Sequence, residues 1–368
     1  MKNKKNIALI CIIVLIVAIV IALIAIIIMQ VTGGTPRDTL QNQIGNEQVE
    51  NEMQGTGSGE DIPQIQPNTE IPTNQETIAT SYYYNQLDDN AKMIYDGLKR
   101  EKDNLITGNY TIDFDSSFNT LLHEENGEEK LNTAFQSAWN AFYYDNVDVF
   151  YVEPSKLVLT TEYEVVGGIG TYKVTLGNGE NPNYLKGEIT TAEEARSAVD
   201  YIQGIKEEVV ELVKGFDDYN KILIIHNWLI DNLQYDTELD SEHIYDIYGA
   251  LNHASAVCEG YARAFKYILD GLNIPTVLVS GTATDTEGKE ESHMWNYVQV
   301  NNRWYAIDLT WDDPIIQGNG ELTDELRYQY FMKGSDEFLT NHKEDGNLSE
   351  NSMKFTFPTL NKENYQQE

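Results

Sequence analysis

In AVCEGYARAF, residues 256–265, Cys258 is the only cysteine outside the first thirty residues of this 368-residue chain. A lone cysteine most often packs as a small hydrophobe, so any chemistry must come from its position and its reach. Ala262, Phe265 and Leu269 follow it at helical spacing, Gly271 reads as the stop and Pro275 lies past the end, which places Cys258 in the first turn of a helix. Unpaired amides and the positive end of the helix dipole favour an anion there, and thiols at helix N-termini ionise more readily than free ones. A thiolate is the nucleophile of cysteine catalysis, and it still needs a base.

Six histidines are available: His123, His226, His243, His253, His293 and His342. Spacing selects His293. The stretch SHMWNYVQVNNRWYAIDLTWDDP reads as two strands joined at Asn301 and Asn302, a two-residue hairpin turn. With Val300 paired to Arg303, Trp295 faces Asp308 and His293 faces Thr310. His293 and Asp308 then share one sheet face as diagonal neighbours, about 7–8 Å apart between backbones. A carboxylate so placed can hold an imidazole in one tautomer and orientation, as the third member of a triad does. A loop of odd length would put the two on opposite faces, so the parity of the hairpin is the geometric commitment. Asp312 and Asp313 read as turn residues or hairpin-end charges.

These groups need a frame. Thr191 and Glu194 form a Thr-x-x-Glu capping box opening a helix with Val199, Ile202, Ile205, Val209 and Leu212 at helical spacing, stopped by Gly215. A second helix comes next, capped by Asp217 or Asp218 and apolar nearly all round, as buried helices are; His226 within it reads as a core histidine. Upstream, helices are expected over 88–103 and 128–144, and strands over 149–152, 156–165 and 170–176. The expected division is an accessory α+β unit over 80–204 and a second domain over 205–368.

The chain opens MKNKK and then runs uncharged and apolar from Ile7 to Met29, long enough for a transmembrane helix and longer than a signal-peptide core. Lys2, Lys4 and Lys5 keep the tip cytoplasmic, so the chain beyond the span should face outward. The expected anchor is residues 1–29, with the span at 7–29. Residues 30–79 are rich in Gln, Asn, Glu, Gly, Pro and Thr and should form a disordered acidic stalk. The chain has 25 basic and 59 acidic residues, a net charge of −34. That balance excludes nucleic acid and anionic lipid headgroups as partners, since both need a basic patch. An exported chain with one cysteine forms no internal disulfide, so its stability must come from burial.

YGAL at 248–251, VCEGYARAF at 257–265, the Gly-Leu-Asn-Ile-Pro run from Gly271, SHMWNYV at 292–298 and RWYAIDLTWDDP at 303–314 together resemble the bacterial transglutaminase-like proteins in order and spacing. YFMKGSDEFLTNH at 330–342 is similar to that family's continuation. The resemblance implies an α+β fold with a papain-like core, a helix carrying the cysteine packed on an antiparallel sheet carrying histidine and aspartate. It implies Cys258 as nucleophile, His293 as general base and acid, and Asp308 as the orienting carboxylate. Acyl transfer would run through a thioester, ended by an amine (crosslinking) or by water (peptidase or amidase). The Cys258 amide, with Tyr235 or Trp228, would serve the oxyanion, and Trp295 and Trp311 flank the three residues, either as walls of the acyl tunnel or as packing beneath them. The implied substrate is a protein or wall peptide at the cell surface. No metal or cofactor is implied, although calcium is compatible with the charge.

Three rivals have distinct signatures. Papain-type peptidases place the histidine about 130 residues after the cysteine, against 35 here. A zinc site from His243, His253, Cys258 and His293 would suit the metal's ligand set. However, His243 and His253 are ten residues apart and no CxxC or HExxH accompanies them. A non-catalytic binding or scaffolding module would not need the intact Cys258, His293 and Asp308.

Overall fold

A computed structural model of the protein describes residues 81–314 and 322–367, all within the unit Gln64–Glu368. The expected span at 7–29 and stalk at 30–79 lie outside these residues. Among those described, no helix is long and apolar enough to cross a membrane. The architecture is α+β. Asp88 caps α1 (Asp89–Arg100) by accepting from the Ala91 amide at 2.8 Å, and the helix buries Ile94, Tyr95 and Leu98. A two-residue strand, β1 (Ile112–Asp113), precedes α2 (Gly127–Asp145), which buries Leu131, Phe135, Trp139 and Phe142. The hairpin β2 (Val158–Val166) and β3 (Ile169–Gly177) then completes a sheet of order β1-β3-β2.

The strand expected over 149–152 is instead a buried turn. A half-buried strand hides every second side chain, whereas Val149, Phe150, Tyr151 and Val152 are all buried in succession. Val149 N–H donates to Asn146 and Val152 N–H to Val149 within the turn, while the Tyr151 carbonyl accepts from the Lys186 amide and Val152 makes a single bridge to Leu185.

α3 (Ala192–Val213) opens with the capping box complete: Glu194 N–H donates to the Thr191 hydroxyl and Thr191 N–H to Glu194 Oε2. α4 (Asp218–Asn232), capped by Asp217, is buried almost continuously from Ile222 to Ile230, His226 included. It leads into β4 (Gln234–Tyr235), parallel to β5 (Ser255–Ala256), which sets Tyr235 opposite Ala256, two residues before α5 (Cys258–Gly271). Gly271 is the last residue of α5 rather than its breaker. The left-handed residue that turns the chain is Asn273, at φ 56°.

α5 lies against an antiparallel sheet of β6 (Thr276–Thr284), β7 (Glu290–Val300), β8 (Arg303–Ile307) and β9 (His342–Glu344), in order β8-β7-β6-β9. Asn296 of β7 donates from Nδ2 to the Ala262 carbonyl at 3.0 Å, pinning α5 to the sheet. On its other side, Arg263 donates to the Tyr143 carbonyl at 2.9 Å and lies over the Tyr143 ring. One apolar cluster therefore takes in Ile94 and Phe142 of α1 and α2 together with Leu278 and Trp295 of the sheet.

Asn301 and Asn302 both take positive φ (52° and 60°), as a type I′ turn requires. The β7–β8 ladder runs from Val300↔Arg303 to Asn296↔Ile307, so the two-residue loop and its parity hold. It stops one pair short of Trp295 and Asp308, and the expected His293–Thr310 facing does not form. The Asp308 carboxylate instead accepts from the Thr310 and Trp311 amides and caps a short helix, α6 (Leu309–Asp312), which takes the chain out of the sheet.

Gly281 of β6 is opposite His293 on one side and Glu344 on the other. A Cβ there would sit 2.0 Å from the Lys343 carbonyl oxygen and 2.8 Å from the Trp295 ring. Gly281→Ala is expected to force β9 away from the sheet at a cost of about 1–3 kcal/mol. A urea melt checks this; an unchanged midpoint would contradict it.

Candidate active site

Cys258 is the first residue of α5, preceded by an extended Val257 whose side chain makes no cap, so the first amides of the helix, that of Cys258 among them, face outward as donors. Cys258 itself is partly exposed. His293 of β7 is 6% exposed and lies near enough to Cys258 for the two side chains to interact electrostatically. Its Nε2 lies 2.7 Å from Asp308 Oδ2, which leaves Nδ1 as the nitrogen that serves the sulfur. Asp308 is fully buried. The fold thus brings the cysteine of α5 near an imidazole of β7 that is itself hydrogen-bonded to the buried carboxylate capping α6.

That row sets the electrostatics. Burial alone would lower the His293 pKa, but the Asp308 charge and hydrogen bond, joined by the Cys258 contact, lift it to about 10. For Asp308 burial pulls upward, and the charge and hydrogen bond of His293, with the bond from His342, hold it well below the usual carboxylate range. An unfolded histidine loses its proton near pH 6.5, so the pair's stabilising contribution is full below that pH and disappears as pH rises through about 10. The difference in Tm between wild-type and Asp308→Asn protein is therefore expected to shrink from pH 6.5 to 10 in scanning calorimetry. A difference that stays constant across that window would contradict the coupling.

Tyr235 comes to the cysteine. Burial raises its pKa to about 12, with the Cys258 charge the next cause, so its hydroxyl keeps its proton at neutral pH and can donate. Trp228 is buried inside α4. The two tryptophans separate: Trp295 is 1% exposed and packs beneath His293 against Phe338, whereas Trp311 is half-buried with its ring 5.4 Å from that of His293. Trp295 thus packs beneath the imidazole, and Trp311 lies beside it, partly open to solvent.

Asp312 and Asp313 are not hairpin-end charges. Asp312 is fully buried, its Oδ2 3.0 Å from His226 Nε2 and its Oδ1 accepting from the Tyr330 amide. Burial raises its pKa to about 6, partly offset by His226. Asp313 accepts from the Tyr261 hydroxyl at 2.8 Å. His243 pairs with Asp246 at 2.9 Å and His253 with Glu188 at 3.3 Å, so each has a carboxylate of its own. The sequence reading passed over His342, whose Nε2 lies 3.1 Å from the same Asp308 oxygen that holds His293. The Asn-His pair closing YFMKGSDEFLTNH was its only signal. Among the described residues His293, Asp308 and His342 bring three metal-ligating atoms within 4.8 Å of one another. Protons from the two imidazoles satisfy that carboxylate oxygen without an ion.

A cysteine at a helix start, a histidine on an antiparallel sheet and an aspartate just past the sheet's edge strand stand together here. Residues 208–309 match the family model described as the transglutaminase-like superfamily core, so the chain carries a transglutaminase-like domain. Kyphoscoliosis peptidase of Mus musculus is 25% identical over 162 residues, covering 40% of this chain and 24% of that protein. The Homo sapiens protein of the same name is 23% identical over 155 residues, covering 39% and 23%. The chain therefore spans about a quarter of the length of the curated relatives it matches. Among solved structures, a TGase shares 16% identity over 48% of this chain and 50% of its own, at a TM-score of 0.30. The periplasmic domain of TgpA from Pseudomonas aeruginosa shares 13% over 42% and 63%, at 0.23. Scores this low leave both likenesses without weight for function.

Proposed function

We propose that this chain is a cysteine enzyme that opens protein or wall-peptide amides through a thioester at Cys258 and passes the acyl group to an amine or to water. The carrying observation is the 2.7 Å bond from His293 Nε2 to Asp308 Oδ2, made by an imidazole that lies within electrostatic reach of Cys258. The Cys258 thiolate attacks the amide carbonyl carbon, forming the C–S bond, and the His293 imidazolium gives its Nδ1 proton to the departing amine. An incoming amine or water then gives a proton back to His293 as it attacks the thioester, and the sulfur leaves as thiolate. Asp308 keeps the imidazole oriented throughout and stabilises its charged form. The developing oxyanion would be met by the Cys258 amide and the Tyr235 hydroxyl, donors whose placement does not depend on the substrate.

The enzyme is proposed to act outside the cell, tethered by the span at 7–29 through the stalk at 30–79, on a surface protein or wall peptide. The acidic composition supports a cationic rather than an anionic substrate surface. The test is incubation of the full chain with candidate wall peptides and surface proteins, with and without a primary amine, followed by mass spectrometry. Products cleaved at an amide or joined to the amine, dependent on Cys258, support the reading; intact substrates in every arm count against it.

A further inference from the structure

Asp308 has more donors than a triad needs. Its Oδ1 accepts from the amides of Thr310 and Trp311 at 3.1 and 3.3 Å, and its Oδ2 accepts from His293 at 2.7 Å and from His342 at 3.1 Å. His342 reaches this oxygen from β9, across β6: Ala283 pairs with His342 and Gly281 with His293. The His342 ring is stacked on Phe338 at 4.0 Å between centroids and edged by Trp311 at 4.8 Å and Trp295 at 5.1 Å. It has no room to swing away from the carboxylate.

The outer side of the ring fixes its role as donor. His342 Nδ1 lies 2.8 Å from the Asn341 side-chain oxygen, and Asn341 Nδ2 lies 3.0 Å from the Tyr330 hydroxyl. Turning the Asn341 amide over exchanges its donor and acceptor while leaving the heavy-atom positions unchanged. Protonated Nδ1 finds an acceptor in one orientation, and bare Nδ1 finds a donor in the other. In both states Nε2 carries a proton, because the ionised Asp308 oxygen it faces can only accept.

We propose that His342 is a fourth member of this site, a positioning residue whose Nε2 proton fixes the Asp308 carboxylate and competes with His293 for the same oxygen. The inference rests on the roles proposed for Cys258, His293 and Asp308. The consequence has a definite sign. A second donor on Oδ2 spreads the carboxylate's charge and weakens its hold on the His293 proton, whether His342 is neutral or charged. Removing that donor makes Asp308 a stronger partner for His293, and His293 should then keep its proton to higher pH. The other ionisable groups around the pair are Cys258, Tyr235, Tyr330 and the buried Asp312, which acts on Asp308 from α6. None of them changes in the test.

The test follows alkylation of Cys258 by iodoacetamide against pH in the full chain, read by peptide mapping. Wild-type protein is expected to show an upper step where His293 gives up its proton and the thiolate is released from its ion pair. His342→Phe keeps an aromatic ring between Phe338 and Trp311 but has no donor. Its upper step should move to higher pH by at least about half a unit, roughly a threefold change in proton affinity. His342→Gln, whose amide can still donate, should restore the wild-type position. If the phenylalanine variant does not fold, His342→Met replaces it as the variant without a donor. A step that stays in place in the folded variant overturns the role of His342 and leaves the triad standing. The absence of any upper step in wild-type protein overturns both.

Discussion

Cys258→Ala is expected to abolish turnover, by at least about a thousandfold, while leaving the melting curve close to wild type. The sulfur is partly exposed at the helix start, so its removal opens no core cavity. What it removes is the only cysteine sulfur among the described residues. Deleting a nucleophile from a triad leaves the contributions of the oxyanion donors and of substrate binding, and little else. Product formation from a cleaved or crosslinked peptide is the readout. Wild-type turnover by the alanine variant would rule out the thioester route.

Asp308→Asn is expected to lower turnover by about 10²- to 10⁴-fold, the scale on which loss of an orienting carboxylate acts. The geometry explains why an amide cannot substitute. If its oxygen faces the two imidazoles, its NH₂ is driven against the Thr310 and Trp311 amides, donor against donor. If it is turned over, its NH₂ faces His293 and His342 and forces His293 towards the wrong tautomer. Either orientation strands buried donors, at about 1–3 kcal/mol, so the variant should fold with a lowered Tm. The loss should fall on kcat, since Asp308 is buried and does not contact substrate. Wild-type kcat in the Asp308→Asn enzyme would show that the carboxylate is only a helix cap.

The places of Cys258, His293 and Asp308 were legible in the sequence because a local rule bears on each. Cys258 follows from the helical spacing of Ala262, Phe265 and Leu269, and the relation of His293 to Asp308 follows from the two-residue turn at Asn301 and Asn302. The two helices before α5 announced themselves through their caps at Thr191 and Asp217. What escaped depends on partners far along the chain. His342 lies in a three-residue strand whose register is set against Ala283, and no local pattern in so short a segment carries that information. Asp312 looked like a turn charge because its buried partner, His226, comes from a helix 86 residues earlier. The turn at 149–152 read as a strand because its residue types suit one, while four successive buried side chains can be arranged only by the surrounding core.

The proposed mechanism requires, before anything else, an ion pair between the Cys258 sulfur and the His293 imidazole. The rate of Cys258 alkylation by iodoacetamide at pH 6, in wild-type and His293→Ala protein, measures it without knowledge of the substrate. Wild-type protein should react at least about tenfold faster, because a thiol without its imidazolium partner behaves as a free one of pKa about 8.5 and is almost wholly protonated at that pH. Equal rates in the two proteins would contradict the central claim.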